Sequence, residues 1–248
     1  METVSFLPVL SESFQVRSFD IGSNRLMRLS SLCGYLQEVA GKHATNLGVG
    51  YRFVHESGLV WVLSKLCMQI SRLPGWGENF TVETWPLGNE RIFYRRDYLV
   101  NNEHGIQVRA ASYWILLDIK TKKPVVVPID TEVVKLNTGK FSMHIPSEAI
   151  SAIKSDNTKI REVRYSDLDQ NNHVNNARYV EWVFDNIDSS IVETSVPSFF
   201  AIEYKHEVRA GESVKIRNDQ INTLPVSCNL DGVIQSTGQL CFKAKVIF

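Results

Sequence analysis

One order of elements occurs twice along this chain, and few architectures satisfy it. From "FQVRSFDIG" the sequence alternates as a strand does. A helical stretch follows, in which Leu29, Leu32, Leu36, Val39, Ala40, His43 and Leu47 recur every three or four residues on one face. After Gly58 come four strand-like runs, "LVWVLSKLCMQISRL", "FTVETWPL", "IFYRRDYLVNN" and "IQVRAASYWILLDI", parted by Gly and Asn turns. The second half restates the order. "KIREVRYSDL" reads as a strand, and Ala177, Val180, Val183, Phe184 and Ile187 form a helix face. "SFFAIEYKHEV", "ESVKIRNDQIN" and "QLCFKAKVIF" read as strands. Short echoes support the repeat: "SFDI" at Ser18–Ile21 against "YSDL" at Tyr165–Leu168, and Gly77-Glu78 against Gly211-Glu212.

A long helix followed by a meander of long antiparallel strands predicts an α+β unit whose sheet wraps its buried face around the helix. Two such units can join edge to edge in one sheet, which also hides their open edges. That is the geometry of a double hotdog fold. The predicted units are residues 1–135 and 158–248. Residues 136–157 form the connector, in a stretch that carries "KTKKP", Pro124, Pro128 and Pro146.

Composition narrows the functions. With 44% hydrophobic residues over 248 positions the chain can bury a substantial core. Lys plus Arg and Asp plus Glu are both 27, so zero net charge gives no global attraction to nucleic acid or to an anionic membrane. No run approaches the ~20 apolar residues of a membrane span. The N-terminus has no basic n-region and no apolar h-region. Cys33, Cys67, Cys228 and Cys241 form no C-x-x-C pair and read as buried thiols of a reducing compartment. The six histidines show no H-E-x-x-H spacing, so neither metal nor cofactor is expected.

The chemistry concentrates in "DLDQNNHVNN", Asp167 to Asn176, set against the start of the second helix. Asp167, Asp169 and Asn171 match the first three ligand positions of an EF-hand loop. The sixth position is Asn172 rather than Gly, however, and the twelfth is Arg178 rather than Glu, which rejects calcium. Asn175 or Asn176 suits the helix N-cap, and a solvated polar loop is a further reading. The catalytic reading uses the free N–H groups and partial positive charge of a helix start to polarise a carbonyl oxygen. Asp169 can accept or orient a proton, Asn171 can position water or the carbonyl, and His173 can act as acid, base or donor.

The cluster does not stand alone. Together with "VRSFDIGSNRLMRLSSLCGYLQEVAGKHA", "LVWVLSKLCMQISRLPGWGENFTVETWP", "RRDYLV", "ASYWILLDIKTKKP" and "IEYKHEVRAGES", the chain resembles the fatty acyl-ACP thioesterases of plant plastids and their bacterial relatives. The resemblance covers nearly the whole chain. It implies a double hotdog that hydrolyses the thioester between a fatty acid and acyl carrier protein. By motif match the catalytic set falls on Asp169, Asn171, His173 and Glu207. The plant enzymes often carry a cysteine after that Glu; here the position is Val208, so a papain-like Cys-His mechanism is not available. The expected chemistry has Glu207, with Asp169, activating water or attacking directly, while Asn171 and His173 hold the reacting groups. Burial in a tunnel would raise the pKa of such a carboxylate. Gly22 stands where Asp169 would be in the first half and Leu26 near where His173 would be, so one active site per chain is expected.

Further residues invite a binding role. Arg91, Arg95, Arg96, Lys120, Lys122 and Lys123 are ordinary solvated charges or a landing patch for the acidic carrier protein. Arg178 and Lys205 lie near the cluster in sequence. Trp61 is expected to line the acyl tunnel, Asn175 to lie beside the carbonyl, and His43 to be a satisfied core histidine. With no plastid transit peptide ahead of the first unit, the reading is a cytoplasmic bacterial enzyme, monomer or homodimer. An acyl-CoA thioesterase, a non-catalytic acyl binder and a hotdog dehydratase are the rival readings.

Overall fold

A computed structural model describes residues 7–127, 131–147, 150, 151, 153, 157–221 and 223–248. The first half contains β1 (Leu10–Gln15), α1 (Leu29–Asn46), α2 (Tyr51–Glu56), β2 (Leu59–Ile70), β3 (Asn79–Glu90), β4 (Phe93–Asn102) and β5 (Gly105–Asp118). After α3 (Thr131–Leu136), the second half contains β6 (Thr158–Glu162), α4 (Asn176–Phe184), α5 (Ser189–Thr194), β7 (Phe199–Tyr204), β8 (Ser213–Ile221), β9 (Ser227–Ile234) and β10 (Leu240–Ile247). All ten strands form one antiparallel sheet in the order β1-β3-β4-β5-β2-β7-β10-β9-β8-β6. The halves meet where β2 pairs with β7, from Lys65 opposite Glu203 to Gln69 opposite Phe199. Each half would otherwise expose a long strand edge there.

The helix face read from the sequence is the buried one. Leu32, Val39 and His43 are fully buried, and Leu29, Leu36, Ala40 and Leu47 nearly so. On α4, Val180 and Val183 are buried as read, together with Tyr179 and Trp182, while Ala177 and Phe184 are half-buried and Ile187 lies beyond the helix end. The helices pack on each other, and one apolar core runs from α1 through α4 to Phe200 and Phe242 without a break at the junction. Full burial of one such aromatic contributes roughly 1.5–3 kcal/mol. The outer face of the sheet is covered by part of the connector. Met143, Ile145 and Ile150 pack on Cys67, Ala111 and Ala201 there.

Two expectations need correction. The strands predicted through "FQVRSFDIG" and "KIREVRYSDL" stop at Gln15 and Glu162. In each, a buried aspartate ends the strand by folding the chain back. Asp20 accepts from the Arg17 N–H and Asp167 from the Arg164 N–H, both at 2.9 Å. The strand β9, "SCNLDGVI", was not expected, because Asn, Asp and Gly are poor strand formers. Its neighbours supply the reason it forms. Asp231 takes both nitrogens of a fork from Arg217 on β8, at 2.7 and 2.6 Å. Gly232 lies under the Phe242 ring, where a Cβ would collide. Pro128 and parts of the connector lie outside the described residues.

Candidate active site

The loop between β6 and α4 is shaped by its own polar groups. The Asp169 N–H donates to His173 O at 2.8 Å and the Asn172 N–H to Asp169 O at 3.0 Å, closing a tight turn with Asn172 at φ 61°. Asparagine tolerates that left-handed backbone. The side chain of Asp169 braces the turn from within, its Oδ1 accepting from Asn171 N (2.8 Å) and His173 N (3.2 Å). Asn175 caps α4, accepting from Ala177 N at 2.9 Å. The Arg178 N–H goes to Asn175 O. Among the described residues the N–H of Asn176 is the helix-start donor with no recorded acceptor, so one donor remains for an incoming oxygen.

Glu207 arrives from the segment after β7. That segment is pinned to the loop, since Val174 N donates to Val208 O at 2.8 Å and His173 bridges with Arg209. The result is a contact that links residues 34 apart in sequence: His173 Nε2 lies 3.3 Å from Glu207 Oε2. Arg209 Nη2 lies 2.5 Å from Glu207 Oε1. Asp169, Asn171, His173 and Glu207 are therefore gathered at one place, and Arg209 joins them. Sequence reasoning missed Arg209. Its signal was modest, a cation two residues after the carboxylate.

The electrostatics of Glu207 run against the expectation. Partial burial does push its pKa up, but the hydrogen bond from Arg209 and the charges of His173, Arg209 and Lys122 outweigh it, and the carboxyl sits below its ordinary value. It is an ionised, held carboxylate at neutral pH. All four cysteines are buried and free, and burial pushes their thiols up, to about 11 or 12. None offers a thiolate. Among the described residues no three His, Cys, Asp or Glu side chains gather as a metal site would require.

The first half repeats the loop bond for bond without its chemistry. Gly22 N donates to Leu26 O and Arg25 N to Gly22 O, with Arg25 at φ 63°. Met27 N donates to Pro74 O as Val174 N does to Val208 O. Gly22 thus stands for Asp169, Asn24 for Asn171, Leu26 for His173 and Leu73 for Glu207. Three of the four polar groups are gone from this copy.

A cavity of about 340 Å³ opens beside the loop, with Gln170 and Asn171 at one side. It runs along α1 from Gln37 to Leu47 and is walled by Val54, Trp61, Tyr94, Trp114 and Arg96. Trp61 donates to Val49 O at 3.0 Å and meets the Tyr94 ring edge-on. Of the three arginines read as solvated charges or a landing patch, Arg91 is exposed, whereas Arg95 and Arg96 are drawn inward. Arg95 is bound to Asp97 at 2.7 Å and to Met143 O. Arg96 is buried and donates to His43 Nδ1 at 3.1 Å. Arg178 is paired with Glu181 at 2.6 Å and lies with Asn175 in a polar groove between α1 and α4. Lys205 is paired with Glu203 at 2.8 Å. Lys120, Lys122 and Lys123 stay exposed on the turn after β5.

Because Asp169 Oδ1 serves the loop, Asp169→Asn, which keeps that acceptor, is expected to hold most of any activity. Asp169→Ala is expected to lose about tenfold in kcat, the equivalent of a lost side-chain-to-backbone bond of about 1–2 kcal/mol. Equal losses in both variants would give the carboxylate charge, not the loop, the leading role.

Comparison with known proteins agrees with this architecture. The acyl-ACP thioesterase N-terminal domain model matches residues 8–136 and the acyl-ACP thioesterase C-terminal domain model residues 150–248. A palmitoyl-acyl carrier protein thioesterase of Gossypium hirsutum is 30% identical over 217 residues, which cover 80% of this chain and 52% of that protein. An oleoyl-acyl carrier protein thioesterase of Arabidopsis thaliana is 27% identical over 231 residues, 82% of this chain and 61% of that protein. The chain spans about half the length of the first of these relatives. A crystal structure of an acyl-ACP thioesterase from Bacteroides thetaiotaomicron superposes with a TM-score of 0.85 at 25% identity, covering 97% of this chain and 98% of that one. Two family domains, matched over residues 8–136 and 150–248, place this chain in the acyl-ACP thioesterase family.

Proposed function

We propose that the chain hydrolyses fatty acyl thioesters of acyl carrier protein, with one active site formed by Asp169, Asn171, His173 and Glu207. The observation that carries this reading is the His173–Glu207 contact at 3.3 Å, made on the loop whose Gln170 and Asn171 border an apolar cavity, and absent from the first-half copy of the loop. The acyl chain lies along α1, and the thioester carbonyl rests near Asn171 and the free N–H of Asn176. The held carboxylate suits orientation better than proton abstraction, since a lowered pKa makes a weak base. His173 therefore takes the proton of the attacking water, and Glu207 fixes the ring and stabilises the imidazolium, as a carboxylate does behind a catalytic histidine. Asn171 steadies the carbonyl, and the thiolate of the carrier leaves with the proton from His173. The direct-attack route through an anhydride is the alternative for Glu207.

The carrier is the second part of the proposal. Lys120, Lys122 and Lys123 follow Asp118, which pairs with the cavity residue Leu59, and the charge of Lys122 reaches Glu207. An acidic carrier would be drawn to them, raising the association rate in a salt-dependent way. The curated relatives are named chloroplastic; a cytoplasmic place for this chain belongs to the proposal. Among the described residues no helix is long and apolar enough to cross a membrane.

The test is release of free fatty acid and carrier thiol from acyl-ACP. No release under conditions where the acid binds would favour the non-catalytic binder. Arg209→Ala adds a check on the electrostatics. Arg209 helps keep Glu207 ionised below its ordinary range, so activity survives to lower pH. Its removal is expected to move the acid limb of kcat/KM, which belongs to the His173–Glu207 pair, to higher pH. A limb that stays in place would show that Arg209 acts only on structure.

A further inference from the structure

Arg96 lies on β4 in the wall of the apolar cavity, 9% exposed, with no carboxylate partner among the described residues. Its sequence neighbour Asp97 is consumed elsewhere. Asp97 takes Arg95 at 2.7 and 3.0 Å and both the N–H and hydroxyl of Ser142 at 2.6 and 2.8 Å. What Arg96 does have is neutral and one-sided. Its Nη1 donates to His43 Nδ1 (3.1 Å) and to Thr84 Oγ1 (3.3 Å). His43 is set to accept because its Nε2–H donates to Leu7 O at 2.8 Å. Thr84 is set to accept because its hydroxyl donates to Asp97 O at 3.0 Å. Among the described residues no acceptor is recorded for Nε or Nη2.

The other polar groups of the wall differ. The indoles of Trp61 and Trp114 donate to Val49 O and Ser112 Oγ, and the hydroxyl of Tyr94 is bonded to Val127. A guanidinium placed in an apolar cavity with spare donors is costly unless something arrives to accept from it. Two residues on two other elements, His43 on α1 and Thr84 on β3, hold it there at that cost. A plain hydrocarbon chain offers no acceptor.

We propose that Arg96, backed by His43 and Thr84, forms a subsite for an oxygen function, a hydroxyl or keto group, carried on the distal part of the acyl chain. The proposal rests on the cavity's being the acyl site. His43 lies six residues beyond Gln37 on α1, about 9 Å at 1.5 Å per residue, so the oxygen it serves is far from the thioester end. A single hydrogen bond to a buried charge changes affinity by about tenfold or more.

The test uses equilibrium binding of free acids, which needs no catalysis. Calorimetry with straight-chain fatty acids of graded length finds the best length, and the positional hydroxy and keto isomers of that acid follow. At least one distal isomer is expected to bind about tenfold or more tightly than the plain acid. In Arg96→Met the gap between isomer and plain acid should vanish. The inference is overturned if no isomer outbinds the plain acid, if the gap survives in Arg96→Met, or if no acid binds at all. Should Arg96→Met fail to fold, the wild-type positional series decides alone. Turnover of plain acyl-ACP without any isomer preference would sink this inference and leave the thioesterase reading standing. A clear isomer preference in a protein inert toward acyl-ACP would do the reverse.

Discussion

Glu207→Ala is expected to lower kcat/KM by between about 10²- and 10⁴-fold, mostly through kcat. The reason is local. Glu207 is the partner of His173 at 3.3 Å, and the first-half copy has Leu73 where Glu207 would be. Glu207→Gln keeps the shape and loses the charge, and it should fall nearly as far if stabilising the imidazolium is the main role. Steady-state rates with saturating and limiting acyl-ACP separate the two constants. A loss confined to KM would make Glu207 a binding group and move the chemistry elsewhere.

The second large effect is on stability. His43 is fully buried in α1, and burial first of all holds its pKa down, to about 4 from the ordinary 6.5. Between those values the unfolded chain binds a proton that the folded chain refuses. Stability from this group is therefore complete above about pH 6.5 and lost as pH falls toward 4. A gap of about 2.5 pH units at 1.36 kcal/mol each amounts to about 3 kcal/mol. Urea unfolding at pH 7 and pH 4.5 should show most of that loss in wild type and much less of it in His43→Gln. The same loss in both proteins would mean that other groups carry the acid sensitivity.

How far these features were legible in the sequence depends on the range of the interaction. The α1 face from Leu29 to Leu47 was legible because burial on a helix repeats every three or four residues. The Asp169-Asn171-His173 loop was legible because its groups lie within five positions and brace one another. Gly22 and Leu26 could be paired with Asp169 and His173 because the two halves carry the same short turn. Strand β9 was not legible. Its place depends on Arg217 and Phe242, from two other strands, overriding poor local propensity. Arg95 and Arg96 were misread as surface charges for a related reason. Strand alternation sends Arg96 toward α1, and the side chains that make this tolerable, His43 and Thr84, come from distant positions. The pKa direction of Glu207 was also out of reach, because Arg209 acts through a close contact that spacing alone does not specify.

The central claim, hydrolysis of a fatty acyl group from its carrier protein, is tested most directly by comparing acyl-ACPs of graded chain length with the matching acyl-CoAs. The account predicts that the acyl-ACP of the preferred length is cleaved with the higher kcat/KM, by a margin that shrinks as salt screens Lys120, Lys122 and Lys123. Equal or faster cleavage of the acyl-CoA would contradict it and make the chain a coenzyme A thioesterase on the same fold.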